Sequence, residues 1–197
     1  SFVEEITSVL ERTPAVLDAL LSGLPDSLIR ATDGPDTWSA YDVIGHLIHG
    51  EQTDWMPRLE IILRDGVSRP FEPFDREAQK HLDQTRPLFA LLDEFRALRE
   101  SNLARLRELA LTPDQLDAKG MHPALGEVTA RQLLATWTAH DLDAAIAASG
   151  VGIAHALDPA QDLQDERAIV VEIVTEEGVR DGRLRRGGLE RRVTRED

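Results

Sequence analysis

Apolar residues recur at alternating three- and four-residue spacings in four segments of the chain, each of roughly 20 residues, which is the pattern of amphipathic helices. The segments lie at about 2–24, 39–64, 87–109 and 129–146. Each such helix has one apolar face to bury, so four of them predict an all-α helical bundle around a single core. A length of 197 residues is sufficient for such a core.

Proline and small hydroxyl residues mark the expected helix ends. Pro14 should kink or restart the first helix, with Thr13 as a new N-cap, and the second helix should be interrupted or bent near Pro57. Ser39 is a suitable N-cap for the second helix because its side chain can accept from the free amides of the first turn. Thr129 can cap the fourth helix in the same way.

The segment at 68–87 has prolines and phenylalanines but no sustained period, and it predicts a long loop with a short helix at about 76–82. The pattern of residue types changes again after about residue 150. A β-branched run at 168–175 predicts a strand, and the tail is expected either to form a hairpin or to be disordered. The predicted organisation is therefore a bundle at 1–150 and an appendage at 151–197.

The composition limits the kinds of partner. A formal net charge of -14 argues against nucleic acid, because a phosphate backbone selects clustered Lys and Arg. With no cysteine, any metal must be held by histidine, carboxylate or water. No apolar run reaches the roughly 20 residues of a membrane span, and no leader precedes Ser1, so we expect a soluble, cytoplasmic protein with no membrane partner.

Two histidines are the strongest candidates for chemistry. His46 and His140 lie at the inward faces of the second and fourth helices, and facing helices of a bundle can bring such side chains to one ion. The alternative is that both are core histidines satisfied by hydrogen bonds. His49 and Asp143 each follow one of them by three residues and are therefore possible additional ligands, although a surface position is favoured for both.

A metal-bound imidazole usually gives its second nitrogen to a nearby acceptor. The acidic residues close enough in sequence are Asp42, Glu51, Asp54, Asp141 and Asp143. The tryptophans are expected to serve core packing more than to line a pocket, and they are Trp38, Trp55 and Trp137. No role is assigned to the remaining histidines, His81, His122 and His155, and no residue stands out as a catalytic base.

Two helical motifs, Thr37–Glu51 and Val128–Asp143, resemble the DinB-like (YfiT-like) superfamily, whose members are regarded as metalloenzymes. The resemblance implies an up-down-down-up four-helix bundle, commonly a homodimer, with zinc or nickel held by three histidines. Characterised relatives include thiol-dependent S-transferases and a maleylpyruvate isomerase. The implied partners are therefore a small-molecule substrate and a low-molecular-weight thiol.

By this resemblance His46 matches the first metal ligand and His140 the second, while Ala144 stands where the family has its third histidine. Either His49, Asp143 or another group replaces that ligand, or the site is degenerate. The resemblance therefore implies a metal-dependent transferase or hydrolase with an incomplete three-histidine site. The alternative is a non-catalytic bundle that binds a small molecule or acts through its dimer.

Family likeness ends at about Ala144. We hypothesise that the chain is read in an altered frame from there, which sequencing of the gene tests.

Overall fold

The computed structural model describes residues 1–32, 34, 37–81 and 83–149, and these are mostly helical. The predicted appendage at 151–197, with its strand, lies outside them. The α-helices are α1 (Phe2–Leu10), α2 (Thr13–Leu21), α3 (Asp26–Ile29), α4 (Ala40–Thr53), α5 (Trp55–Asp65), α6 (Leu88–Glu108), α7 (Pro113–Leu116) and α8 (Ala130–Ala148). The strands are β1 (Lys119–His122) and β2 (Gly126–Thr129).

Four rods form the bundle: α1 with α2, α4 with α5, α6 alone and α8 alone. Two contacts give the relative direction of the second and third rods. Asn102 Nδ2 donates to the Glu51 carbonyl at 2.8 Å, and Arg105 pairs with Glu60 at 2.9 Å. Since residue numbers rise together along both rods, α4–α5 and α6 are parallel.

The outer two rods run the other way. Arg96 pairs with Asp18 at 3.7 Å and Arg107 pairs with Glu11, so the first rod is antiparallel to α6. In α8, His140 meets His46 at the middle of α4, while the earlier Trp137 bonds Glu51 nearer the end of α4, so α8 is antiparallel to α4. The bundle therefore has the predicted up-down-down-up topology.

Two consecutive parallel rods require the chain to return along the bundle before the second can begin. Residues 66–87 make this return, and we call them the crossover segment. The predicted short helix is present there as a 3₁₀ helix at Ala78–His81. The segment is joined to the strand pair by a hydrogen bond from Phe71 N–H to the Met121 carbonyl at 2.9 Å.

The N-caps of α4 and α8 confirm the predictions for Ser39 and Thr129. Each forms a capping box, Ser39 with Asp42 and Thr129 with Gln132, in which each side chain accepts from the other's backbone N–H. These caps fix where the helices that carry the two candidate histidines begin.

The breaks within the first two rods differ slightly from prediction. Arg12, rather than Thr13, is the N-cap of α2, and Pro14 lies in the first turn. The second rod breaks at Asp54, three residues before Pro57. The reason is that a proline ring clashes with the carbonyl four residues earlier, so the helix is interrupted upstream and proline occupies the new first turn.

The sequence pattern predicts only a connection between the third and fourth helices, and the structure adds an antiparallel hairpin there. Lys119 pairs with Thr129 and His122 with Gly126. Gly126 has a φ of 78°, which favours glycine. Two four-residue strands are too short for sequence periodicity to reveal them.

The core consists of two apolar clusters with a charged layer between them. Along α6, Phe95 belongs to one cluster and Leu103 to the other, with the buried Arg99 between them. Along α8, Asp141 separates Trp137 and Ala144 in the same way. In the described part of the chain, no helix combines the length and apolar character needed to cross a membrane.

Candidate metal site

The structure brings the two predicted histidines together. His46 projects from α4 and His140 from the antiparallel α8, and their Nε2 atoms lie 3.0 Å apart although 94 positions separate them in sequence. Two nitrogens at this separation can both lie about 2.1 Å from one ion, at an angle of roughly 90°. The same separation is also that of an N–H···N hydrogen bond between neutral rings.

Aromatic rings enclose this pair. The His46 ring has Trp38 at 4.7 Å and Phe74 at 5.4 Å between ring centroids. Trp55 lies edge-on to His140 at 5.4 Å and stacks on Trp137 at 5.8 Å. Core packing was the predicted role of the tryptophans, and Trp38 and Trp55 additionally contact the candidate site.

The surroundings keep His46 neutral. Burial lowers its pKa well below the ordinary value of 6.5, and the nearby His140, Arg76 and His49 lower it further. A neutral imidazole has a lone pair available, which is the form that binds a divalent metal. The electrostatics therefore fit metal binding as well as the spacing does.

The number of ligands falls short of the family pattern. Ala144 is buried one turn after His140, where it packs in the apolar core. His49 lies against Phe74 and its Nε2 is 3.4 Å from Thr53 Oγ1, while Asp143 is exposed. Among the residues described, no three histidine or acidic side chains are grouped so that they could hold one ion. The donors and spacing thus fit a metal, but only two protein ligands are present.

The expected acceptor for the second nitrogen of His46 is also missing. His46 Nδ1 is buried and has no hydrogen-bond partner in the described part of the chain. The acidic neighbours serve other purposes: Asp42 caps α4, Asp54 pairs with Arg58 at 2.5 Å, and Glu51 binds Arg99. Orientation of the His46 ring therefore comes from the aromatic side chains rather than from a carboxylate.

Arg99 ties together the helices that carry the histidines. Its guanidinium donates to Glu51 of α4, to Asp141 of α8 and to the Leu10 carbonyl of α1, at distances of 2.6–3.1 Å. Glu51 also accepts from Trp137 Nε1 and from Asn102. We call these residues the Arg99 layer.

Sequence reasoning did not find the Arg99 layer, nor Phe74 as a neighbour of His46. Arg99 lies among the charged residues of a strongly amphipathic helix, and only its position on the apolar face distinguishes it. Phe74 lies in the crossover segment, where no periodicity places a side chain. The signal for Phe74 was limited to the general expectation that phenylalanines in a long loop pack down onto the core.

Together, the fold and the site define a four-helix bundle with a histidine pair between its second and fourth rods, in which His46 is buried and His140 partly buried. The chain belongs to the DinB superfamily, whose family model matches residues 9–143. The match ends one residue before Ala144, the position at which the resemblance implies a third histidine. No curated protein matches the chain.

Among solved structures, the chain is similar to YfiT from Bacillus subtilis, with a TM-score of 0.64 and 22% sequence identity over 84% of this chain and 87% of that one. YfiT is described as "a probable metal-dependent hydrolase with an unusual four-helix bundle topology". At this level of identity the likeness shows the fold.

Proposed function

We propose that this protein is a metal-dependent enzyme in which His46 and His140 bind one divalent cation, zinc or nickel. The observation that carries the proposal is the 3.0 Å separation of their Nε2 atoms within a partly buried set of aromatic rings. When bound, such an ion supplies Lewis acidity to a water or thiol nucleophile.

The residues of the chain would provide the environment for that chemistry. His46 presents a neutral imidazole, and Trp38 and Phe74 exclude water from the His46 side. With two protein ligands, an ion would keep more coordination positions open to small molecules than it does in a three-histidine site. This supports direct binding of a small cosubstrate, and we propose a low-molecular-weight thiol and an S-transfer reaction.

Hydrolysis is the competing reaction, because YfiT carries that description. Assays of the metal-loaded protein with a thiol and an electrophile, or with ester and amide substrates, separate the two. The homodimer stays a prediction from the family resemblance.

A second candidate function has an observation of its own. Ala144 removes one ligand, and no group of three suitable side chains is present among the described residues. This favours a non-catalytic bundle that binds a small molecule or acts through a dimer.

The deciding experiment is the metal content of the full-length protein after incubation with zinc or nickel and removal of free ion. We expect about one ion per chain, lost in His46→Ala and in His140→Ala. His49→Ala is the matched control, since it removes an imidazole from the same helix without touching the pair, and it should keep its metal. Absence of metal from the wild-type protein would rule out the metalloenzyme and favour the non-catalytic bundle.

A further inference from the structure

A cavity lies between the start of α5, the hairpin and the first turns of α8, and Trp55, which contacts His140, forms part of its wall. It contains about 420 Å³ of empty space, part of it open to solvent. Its apolar wall includes Trp55 and Phe71. Its polar wall includes Arg58, His122, Gln132 and the Asp54 carboxylate, which is paired with Arg58. We call it the hairpin cleft.

His122 presents a fixed donor to this cleft. Its Nδ1 accepts hydrogen bonds from the backbone N–H groups of Ala124 and Leu125, each at 3.1 Å. A nitrogen that accepts cannot carry the ring proton, so in the neutral ring the proton is on Nε2. Burial, together with the cations Arg58 and Arg76, lowers the pKa of His122 to about 4. The ring is therefore a neutral Nε2–H donor at physiological pH.

Gln132 presents a second fixed donor. Its Oε1 accepts from the Thr129 backbone N–H at 2.8 Å and lies 3.3 Å from the Thr129 hydroxyl, as the capping box requires. The amide oxygen is thus occupied by the helix cap. Among the described residues its NH₂ group donates no hydrogen bond, and since Gln132 lines the cleft this donor is available to a ligand there.

Arg58 adds a cation to the same wall. Its Nε pairs with Asp54 at 2.5 Å, its Nη2 donates to the Glu72 carbonyl at 3.3 Å, and its guanidinium lies 5.3 Å from the Phe71 ring centroid. These contacts hold the guanidinium in place and engage the Asp54 carboxylate. The polar wall is consequently dominated by donors.

We infer that the hairpin cleft binds the carboxylate of a small organic acid, with the flat apolar body of that acid against Trp55 and Phe71. A carboxylate offers acceptor sites for several donors at once, and it gains from charge-assisted hydrogen bonds. An aromatic or unsaturated body matches the ring-lined wall. The inference stands apart from metal binding, since neither His46 nor His140 lines the cleft.

The test uses benzoate as the probe and benzyl alcohol as its neutral counterpart, titrated calorimetrically into the full-length, chelator-treated protein. The informative variant is Gln132→Glu. A glutamate preserves the capping box with Thr129 but replaces the NH₂ donor by a negative oxygen. Gln115→Glu is the matched control, because Gln115 forms the same capping box with Thr112 at the exposed start of α7 and adds the same charge.

We expect benzoate to bind the wild type and Gln115→Glu equally, and to bind Gln132→Glu at least about tenfold more weakly. His122→Asn should also weaken binding, because asparagine keeps an acceptor near the Nδ1 position but places no donor at the Nε2 position. Thermal melts identify any variant that fails to fold. The inference is overturned if benzoate does not bind, if benzyl alcohol binds as tightly, or if both folded variants bind benzoate like the wild type.

Discussion

Asp141 accepts two hydrogen bonds from Arg99, at 2.6 and 2.9 Å, and it directly follows His140 in the chain. Arg99 also binds Glu51, which follows His46 by five residues on α4. All three charged groups are almost completely buried, so an ionic contact in the core joins the two helices that carry the histidine pair.

We predict that Arg99→Met destabilises the protein by about 3–5 kcal/mol, because removing one partner of a buried ionic group leaves uncompensated carboxylates in the core. The measurement is urea unfolding. Arg96→Met, on the same helix, removes a partly exposed arginine that pairs with Asp93 and Asp18, and it should cost less than about 1 kcal/mol. Equal losses in the two variants would contradict this interpretation of the Arg99 layer.

Restoring a third imidazole should strengthen metal binding. Ala144 lies one turn after His140 on α8, so Ala144→His places a ring next to the pair. We expect zinc affinity to rise at least about tenfold, measured by competition with a chromophoric chelator. The control is Ala145→His, which adds the same side chain about 100° around the helix. A similar rise in that control would mean that the added histidine acts elsewhere.

Acid should destabilise the protein through His122. Its pKa is lowered to about 4 in the folded state against an ordinary value of 6.5, so the unfolded chain binds the proton more readily in this range. The contribution of neutral His122 is complete above pH 6.5 and is lost as the pH falls towards 4. Allowing for solvent screening of a half-exposed ring, it amounts to about 1 kcal/mol.

The measurement for this prediction is the urea midpoint at several pH values between 4 and 7. His122→Asn does not titrate in this range and keeps an acceptor for the backbone N–H groups of the turn. It should therefore show a shallower pH dependence than the wild type. If the urea midpoint changes equally with pH in the wild type and in His122→Asn, His122 does not contribute to the pH dependence of stability.

Gly120 should not tolerate a side chain. A Cβ at this position would lie 2.6 Å from Ile62 Cγ1 and 2.8 Å from Phe71 Cζ. Gly120→Ala should therefore cost about 1–3 kcal/mol through overpacking, measured by thermal or urea unfolding. Gly34→Ala is the control, because no described atom lies within 4 Å of a Cβ there. If Gly120→Ala unfolds like the control, the hairpin packs more loosely than the contacts indicate.

Much of the helical structure was predictable because its signals are local. The apolar periodicity, the caps at Ser39 and Thr129 and the breaks near Pro14 and Pro57 all lie within a few residues of the features they predict. Where prediction was off, as at Asp54, the error was a few residues. The crossover segment was expected as a long loop because its prolines and its lack of a sustained apolar period are also local signals.

The sequence predicted which histidines belong to the candidate site, but not the contact between them. His46 and His140 were chosen from their helix faces and from the family resemblance, and both lie in the site. The missing third ligand at Ala144 was also visible in the sequence. Their role as metal ligands stays a prediction.

The sequence by itself determined the helices, their caps and the candidate histidines, because periodicity and capping depend on neighbours along the chain. Only the tertiary structure decided that the Nε2 atoms of His46 and His140 meet at 3.0 Å, that Arg99 joins Glu51 to Asp141, and that the hairpin and α8 form a cleft lined by donors. Those contacts join residues far apart in sequence, so they arise only when antiparallel rods pack at one particular register.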